Sequence, residues 1–134
     1  MPMRQHDDDA AFDLFVPNNV DLQPGRQVVD LKFSLEIPKG YAATIQPRSG
    51  FSAKGVEDIT GCRRDADVLH GIVDEDYRGS IGVLVRSEDY FIIKKGTRLA
   101  QMLIGEYRDH EFEEVDDLSS TSRGEGGFGH TGTK

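Results

Sequence analysis

The chain has 134 residues, a formal net charge of -8, one cysteine and a hydrophobic content of 37%. This length predicts one domain, and the negative charge argues against stable nucleic-acid binding and against binding to anionic membranes. The single cysteine, Cys62, excludes an internal disulfide and a cysteine-based zinc site. We expect neither a membrane span nor a signal peptide, and therefore a cytoplasmic or other intracellular, reducing compartment.

The predicted regular elements are all β-strands. Apolar and polar residues alternate from Val28 to Ile37, which predicts a half-buried strand that ends at a proline-glycine turn. No segment shows a clear helical period, and residues 54–66 fit either a single helical turn or an extended loop. This pattern predicts an all-β sandwich or barrel-like roll rather than a βαβ sheet. The further predicted strands are Tyr41–Ile45, Gly79–Arg86, Tyr90–Lys94 and Leu99–Ile104.

Two segments in the first half of the chain place polar groups at predicted strand ends. Asp13 lies between Phe12 and Leu14, where an ordinary strand start is the alternative interpretation. Pro47–Gly50 follows a predicted strand and combines an arginine and a serine, which can bind phosphate oxygens, with a glycine that allows a tight turn. A surface turn explains the same four residues, so this segment alone predicts little.

The segment Gly71–Gly79 is more specific. Three acidic residues follow an apolar pair, and an aromatic residue and an arginine follow the acids. Asp74 comes directly after Ile72 and Val73, so we expect its carboxylate at a rigid strand end, where it can orient a water molecule. Tyr77 is placed to contact a sugar face. The alternative is a charged hairpin turn in which Tyr77 is only a packing residue.

The C-terminal residues 123–134 contain five glycines, one arginine and one phenylalanine. Glycines let a backbone approach an anion closely, Arg123 can bind phosphate oxygens, and Phe128 can stack on a nucleobase. These features predict a mobile arm that closes over a nucleotide, with a frayed glycine-rich end as the alternative. We predict a β domain over residues 1–118, followed by a hinge and the arm over residues 119–134.

Five segments, taken in chain order, resemble the five motifs of the trimeric dUTP pyrophosphatases (dUTPases). One short match arises by chance, whereas five in family order are specific. The resemblance implies a jelly-roll-like β-clip subunit in a homotrimer, in which the C-terminal arm of one subunit closes a site built by the other two. The five segments are Ala11–Leu14, Pro47–Gly50, Gly71–Gly79, Arg98–Gln101 and Arg123–Gly132.

The resemblance further implies hydrolysis of dUTP to dUMP and pyrophosphate with Mg²⁺, which limits uracil in DNA and supplies dUMP for thymidylate synthesis. Asp74 would orient the water that attacks the α-phosphorus, and Asp13 would act on the metal through water. Tyr77 would contact deoxyribose and exclude a 2′-hydroxyl. The other implied binding residues are Arg48, Ser49, Gly50, Gln101, Arg123, Gly129 and Thr131 for the phosphates and their support, and Gly71, Ile72, Val73 and Phe128 for uracil.

Three features depart from the family pattern. Glu57–Leu69 is predicted to be an insert, and it adjoins the segment expected to contact uracil. Val68 lies near the position where some members have a hydrogen-bonding asparagine. His130 stands where the family has serine, and a protonated imidazole there would favour phosphate. The dCTP deaminases share the fold and the arginine-serine turn, but Leu84 lies where their catalytic glutamate is expected. The remaining alternative is a non-catalytic protein that uses the insert to contact a partner, and loss of a motif would favour it.

Overall fold

The computed structural model of the chain describes residues 1–128. Nearly all its regular elements are strands, so the predicted all-β fold is confirmed. The helix α1 is Ser49–Lys54, and within residues 1–128 no helix has the length and hydropathy of a membrane span. The strands are β1 Phe12–Phe15, β2 Val20–Leu22, β3 Gly25–Ser34, β4 Tyr41–Gln46, β5 Val56–Glu57, β6 Arg63–Arg64, β7 Ala66–Val68, β8 Gly71–Val73, β9 Ser80–Ser87, β10 Phe91–Ile93 and β11 Arg98–Glu106.

The strands form two larger antiparallel sheets. One has the strand order β1-β11-β4-β8, and the other has the order β3-β9-β7. Two further pairs are β2 with β10 and β5 with β6. Both larger sheets contribute side chains to one apolar core. Successive side chains of a strand point to opposite faces, so one face of each sheet supplies the core residues. In β9, for example, Ile81, Val83 and Val85 are buried, and the residues between them are more exposed.

The first long strand differs from its prediction near its end. The pairing of β3 with β9 shifts between Asp30 and Ser34, and Lys32 lies there with a φ of 62°. The Asp30 carboxylate accepts hydrogen bonds from the Ser80 hydroxyl and from the Lys32 backbone N–H at 2.8 Å, and these bonds lower the pKa of Asp30. The strand therefore ends at Ser34 after a β-bulge, but the predicted alternation of burial is confirmed, because Phe33 and Leu35 pack partly buried against the core and Ile37 is buried.

The predicted insert Glu57–Leu69 belongs to the folded body. The chain passes from α1 into β5, forms the short β5–β6 pair, and then adds β7 to the edge of the β3-β9-β7 sheet. Val56 and both end residues of β7 are buried in the core. The stretch 54–66, which the sequence left open between a helical turn and a loop, therefore contains the end of a short helix and two short strands.

Asp58 organises the turn between β5 and β6. Its carboxylate is almost fully buried and accepts hydrogen bonds from the backbone N–H groups of Thr60 and Cys62, from the Thr60 hydroxyl, and from Arg64 Nε at 2.7 Å. These bonds, the Thr60 hydroxyl first and Arg64 second, hold the pKa of Asp58 well below its usual value. The Arg64 guanidinium also lies 5.8 Å from the centre of the Phe91 ring, which attaches the turn to β10.

We expect Asp58→Asn to lower the melting temperature by about 5 °C or more, because a buried anion that accepts several hydrogen bonds is lost. The difference in melting temperature between Asp58→Asn and wild type should be fully present above pH 3.8, the usual pKa of an aspartate. It should disappear as the pH falls through the lower pKa that Asp58 has in the folded protein. Asp67→Asn, at an exposed position of β7, is the control. Equal melting of both variants and wild type would contradict this role of Asp58.

Candidate active site

Three charged side chains meet where β1, β11 and the start of α1 come together. The Asp13 carboxylate contacts Arg48 Nε at 3.3 Å through one oxygen and Arg98 Nη1 at 3.3 Å through the other. Asp13 is buried, whereas both arginine side chains are partly exposed. The group therefore has one net positive charge and keeps two guanidinium groups accessible to an anion.

The register of the sheet explains why these residues meet although they lie far apart in the chain. Asp13 on β1 pairs with Gln101 on β11, which in turn pairs with Gln46 at the end of β4. Pro47 follows and has no N–H to continue the ladder. Gln101 Nε2 donates to the Pro47 carbonyl at 3.2 Å and so holds the turn that places Arg48 at the N-cap position of α1.

A cavity of about 400 Å³ opens beside this group, and we call it the arginine cavity. Gly50 lies in an adjacent cavity of about 340 Å³ that shares both arginines. The structure therefore brings together all the phosphate-side residues predicted from the second and fourth motifs, and Asp13 with them. The residues of the arginine cavity that matter here are Asp13, Arg48, Ser49, Arg98, Gln101 and Gln5.

Arg98 and Gln5 were not assigned roles from the sequence. The charge of Arg98 at the start of the fourth motif was a usable signal, but the sequence does not show that it contacts Asp13. Gln5 Nε2 donates to the Asp13 carboxylate at 3.4 Å, because the N-terminal segment forms a bridge between Met3 and Asp13. No motif in the sequence pointed to Gln5.

A second cavity, of about 310 Å³, lies at the end of β8, and we call it the tyrosine cavity. Ile72, Val73, Asp74 and Tyr77 all line it, whereas Gly71, the first residue of β8, does not. Asp74 is exposed directly after the strand, so the prediction of a carboxylate at a strand end is confirmed. The arrangement presents an anionic side chain and an aromatic ring to the same space.

Tyr77 is held at both its backbone and its ring. Its N–H donates to the Asp74 carbonyl at 3.1 Å, which closes a turn, and its hydroxyl donates to the Ser80 carbonyl at 2.8 Å. Gly79 permits this position, because a Cβ there would lie 2.6 Å from Tyr77 Cζ. The strands on either side, β8 and β9, belong to different sheets, so the alternative interpretation of the segment as a hairpin turn is wrong.

Val28 and Gly82 also line the tyrosine cavity, and the sequence did not point to either residue. Val28 on β3 is exposed although it is apolar. A Cβ at Gly82 would lie 2.5 Å from Val28 Cγ1, so this glycine allows β3 and β9 to place the valine here. An apolar residue on the polar face of a strand is too common to have marked the site.

The two cavities lie at opposite edges of one sheet. Asp13 is on β1 and Ile72 is on β8, with β11 and β4 between them. Three strand spacings of 4.7–4.9 Å place these two edge strands about 14 Å apart. The arginines themselves lie nearer to β8, because Arg98 begins β11 and Arg48 follows the end of β4. Asp74 lies at the other end of these strands, because the preceding Val73 pairs with Ala43 near the start of β4. Six or seven residues along the strands, roughly 20 Å at 3.3–3.4 Å per residue, therefore separate Asp74 from the arginine pair within one chain, too far for both to act on the same phosphate group.

Beyond β11 the described chain has no helices or strands, and this part includes the predicted hinge and arm from residue 119 onward. Arg123 makes a local contact, its Nε donating to the Gly126 carbonyl at 2.6 Å, and Phe128 is fully exposed. Neither residue lines the arginine cavity or the tyrosine cavity. The other predicted arm residues, Gly129 and Thr131, lie outside the described part of the chain, as does residue 130.

Comparisons with known proteins agree on one family. The family model described as dUTPase matches residues 1–132. The chain is 40% identical over 136 residues to the deoxyuridine 5′-triphosphate nucleotidohydrolase of monkeypox virus, covering 99% of this chain and 83% of that protein. It is 40% identical over 137 residues to the protein of the same name from Gloeothece citriformis, covering 98% and 88%.

The fold agrees as well. A variant of the Staphylococcus bacteriophage 80alpha dUTPase, solved with dUpNHpp, superposes with a TM-score of 0.79 at 26% identity, covering 99% of this chain and 92% of that one. The family match extends over all five predicted motifs. The predicted family and the predicted enzyme class, dUTP diphosphatase, are therefore confirmed. The chain belongs to the dUTPase family.

Proposed function

We propose that the chain hydrolyses dUTP to dUMP and pyrophosphate as a homotrimer, with Mg²⁺ as its cofactor. The observation that carries the proposal is the position of Asp74, exposed at the end of β8 beside Tyr77 in the tyrosine cavity. Relatives that are 40% identical over nearly the whole chain are named for this activity. Each part of the proposal has its own support in the described residues.

The position of β8 supports recognition of the base by the backbone. In the described chain β8 is an edge strand that pairs with β4 alone, so the N–H and C=O groups on its other side have no strand partner. Gly71, Ile72 and Val73 would present these groups to uracil, and a base with other donors and acceptors would leave them unpaired. Tyr77 would contact deoxyribose and exclude a 2′-hydroxyl.

The arginine cavity supports binding of the triphosphate. Arg48 and Arg98 are both partly exposed there, beside Ser49. Gln101 holds the turn that carries Arg48, and Gly50 would let the backbone approach a phosphate. Because Asp74 and the arginine pair are roughly 20 Å apart in one chain, the phosphates would bind to the arginine cavity of a neighbouring subunit. This requirement supports an oligomer, and the proposal of three subunits comes from the family resemblance.

Asp74 would perform the proton transfer. Its carboxylate accepts a hydrogen bond from a water molecule and takes the proton as the water oxygen bonds to the α-phosphorus. The bond from the α-phosphorus to the oxygen that bridges to the β-phosphate breaks, and pyrophosphate leaves. Arg48 and Arg98 would stabilise the negative charge on the phosphates throughout this step.

The donor groups fit a magnesium ion held mainly by the substrate. Within residues 1–128 no group of three or more His, Cys, Asp or Glu side chains could hold a metal ion alone, and Mg²⁺ typically keeps waters and binds substrate phosphates. Both carboxylate oxygens of Asp13 already contact arginines, so Asp13 would reach the ion through a water ligand. The bound ion would neutralise charge on the phosphates.

The arm would complete the site. We divide the chain into a β domain over residues 1–118 and a hinge with the arm over residues 119–134, and the arm of one subunit would close a site built by two others. The full exposure of Phe128 supports this assignment, because an aromatic ring in water gains by covering a base. Arg123 would bind the terminal phosphate, and Gly129 and Thr131 would donate hydrogen bonds to phosphate.

The expected role is to limit uracil in DNA and to supply dUMP for thymidylate synthesis, in an intracellular, reducing compartment. The substrate would be a free nucleotide. A net charge of -8 opposes stable binding to the phosphate backbone of a nucleic acid and to anionic membranes. The positive charge needed for a nucleotide is instead local, at Arg48 and Arg98.

The proposal is tested by pyrophosphate release in the presence of MgCl₂ from dUTP, dCTP, dTTP and UTP, measured separately. We expect release from dUTP and rates about 100-fold or more lower for the other three. Cytosine would leave polar groups of β8 unpaired, the 2′-hydroxyl of UTP would overlap Tyr77, and the C5 methyl group of dTTP needs space that a site fitted to uracil does not provide. Sedimentation equilibrium should give the mass of a trimer. Failure of dUTP to release pyrophosphate would overturn the proposed reaction, and equal release from dCTP would overturn the role of β8.

Phe128→Ala should weaken the affinity for a non-hydrolysable dUTP analogue by about 1–3 kcal/mol, the range for stacking of a base on an aromatic ring. Phe112→Ala is the matched control, because Phe112 is equally exposed and lies in the acidic stretch between β11 and the predicted hinge. Isothermal titration calorimetry measures both variants. Equal affinities in the two variants would contradict the assignment of Phe128 to the base.

A further inference from the structure

The residue after Asp74 makes two long-range hydrogen bonds. One carboxylate oxygen of Glu75 accepts from the Gly40 backbone N–H at 2.7 Å, and the other accepts from the Tyr107 hydroxyl at 2.9 Å. Glu75 is only partly exposed. Its neighbour Asp76 is exposed and makes no side-chain hydrogen bond in the described chain, so the two consecutive acids differ sharply in their contacts.

Gly40 and Tyr107 are also bonded to each other. The Tyr107 N–H donates to the Gly40 carbonyl at 2.9 Å. Gly40 directly precedes β4, and Tyr107 directly follows β11, which pairs with β4 along the strand up to Tyr41. Glu75 therefore joins a closed set of three hydrogen bonds at one end of the central strand pair. The hydrogen bond to Glu75, followed by burial, raises the pKa of Tyr107.

The turn that carries Asp74 has few other attachments. The Tyr77 N–H closes it on the Asp74 carbonyl, and Arg78 Nη1 donates to the Glu75 carbonyl at 2.7 Å, so both bonds are internal to the turn. The Tyr77 hydroxyl bonds to Ser80, which is only three residues away. Two other attachments lie beside the turn, the backbone pairing of Val73 with Ala43 just before it and the exposed ion pair of Arg78 Nε with Glu36 at 3.9 Å. The Glu75 side chain adds the hydrogen bonds that join the turn itself to Gly40 and Tyr107 at the ends of β4 and β11.

We propose that Glu75 and Tyr107 are positioning residues, which fix the Asp74 turn to the ends of β4 and β11 and so hold the Asp74 carboxylate in place for the reaction. The inference rests on the proposed function for the identity of the reaction. The hydrogen bonds that attach Glu75 to Gly40 and Tyr107 do not depend on that function. Tyr107 also begins the segment that leads from β11 to the predicted hinge and arm at residues 119–134. The hydrogen bond from Tyr107 to Glu75 therefore ties the start of this segment to the turn that carries Asp74.

The test compares Tyr107→Phe, Glu75→Ala and the double variant with wild type. Tyr107→Phe keeps the ring and loses the bond, and we expect kcat for dUTP to fall about 5- to 10-fold with KM changed less than about 2-fold. The kcat of Glu75→Ala should be lower still, because this variant also loses the hydrogen bond to Gly40. The double variant should be no slower than Glu75→Ala, since both changes remove one shared contact.

The matched controls are Tyr90→Phe and Asp76→Asn. Tyr90 is half exposed and its hydroxyl has no hydrogen-bond partner in the described chain, and Asp76 lies in the same turn as Glu75. Both controls should keep the wild-type kcat. Glu75→Gln should partly rescue Glu75→Ala, because an amide can still bond to Gly40 and Tyr107.

Amide hydrogen exchange of residues 70–80 gives a readout that does not depend on activity. Exchange should be faster in Tyr107→Phe and Glu75→Ala than in the controls, because the turn loses its link to β4 and β11. If wild type lacks dUTP hydrolysis but this difference is present, the proposed function fails and the attachment stands. Unchanged exchange, or unchanged kcat in both variants of an active enzyme, would overturn the positioning role.

Discussion

Replacing Asp74 by asparagine should lower kcat for dUTP by about 10²- to 10⁴-fold, the contribution of a well-placed general base. Asparagine has nearly the same shape, and the bond from the Tyr77 N–H uses the backbone carbonyl of residue 74, so the turn should persist. The amide cannot take a proton from the attacking water. Affinity for a non-hydrolysable dUTP analogue should therefore stay near that of wild type, and the loss should lie in kcat.

The control for this variant is Asp76→Asn. It removes one negative charge from the same turn at an exposed side chain, so an effect of the turn's total charge would appear in both variants. Pyrophosphate release under single-turnover conditions separates the chemical step from product release. If the single-turnover rate of Asp74→Asn is close to that of Asp76→Asn, a residue other than Asp74 acts as the general base.

Removing residues 123–134 should lower kcat/KM for dUTP by about 100-fold or more, because the arm would supply Arg123 to the phosphates and Phe128 to the base and exclude water. The folded body should be unaffected. The last strand ends at Glu106, and residues 108–128 add no strand to either sheet. The melting temperature and the number of subunits in the oligomer should therefore match those of wild type.

Removing only residues 133–134 is the matched control, because the fifth motif ends at residue 132. This shorter truncation should keep nearly the full kcat/KM. Comparable activity in the two truncated proteins would show that the arm does not complete the site. Dissociation of the longer truncation into dimers or monomers would instead assign the arm a role in assembly and contradict its description as a lid.

The sequence predicted those parts of the site that are local in the chain. Asp74 follows the strand Gly71–Val73 directly, so its place at a strand end could be predicted from a short run of residues. The turn at Arg48 was equally visible, although its short helix was not, because a six-residue helix is too short to show a period.

The contacts that join distant segments could not be predicted in this way. Asp13 and Arg98 are 85 positions apart, and their meeting depends on the register of β1 with β11. The link from Glu75 to Tyr107 likewise depends on where β11 ends. A residue pattern gives the faces of each strand but not its partner, because strand pairing is set by the whole sheet.

The predicted insert shows the same limit. Alternating burial over Ala66–Val68 occupies only three residues, which is too short to indicate a strand from the sequence alone. In the structure this segment pairs with β9, the strand that also lines the tyrosine cavity through Gly82. The insert is therefore part of the sheet that supports the site, and its effect on base specificity stays a matter for the comparison of dUTP with dCTP.

The central claim, a site shared between subunits, is tested most directly by mixing two inactive variants. Asp74→Asn keeps an intact arginine cavity, and Arg48→Ala keeps an intact tyrosine cavity, so co-refolded trimers would contain some sites with both halves intact. We expect the mixture to recover up to about a quarter of the wild-type rate by random assembly, whereas the double variant on one chain recovers none. If trimers shown to contain both variants are no more active than the separate variants, the site is not shared between subunits.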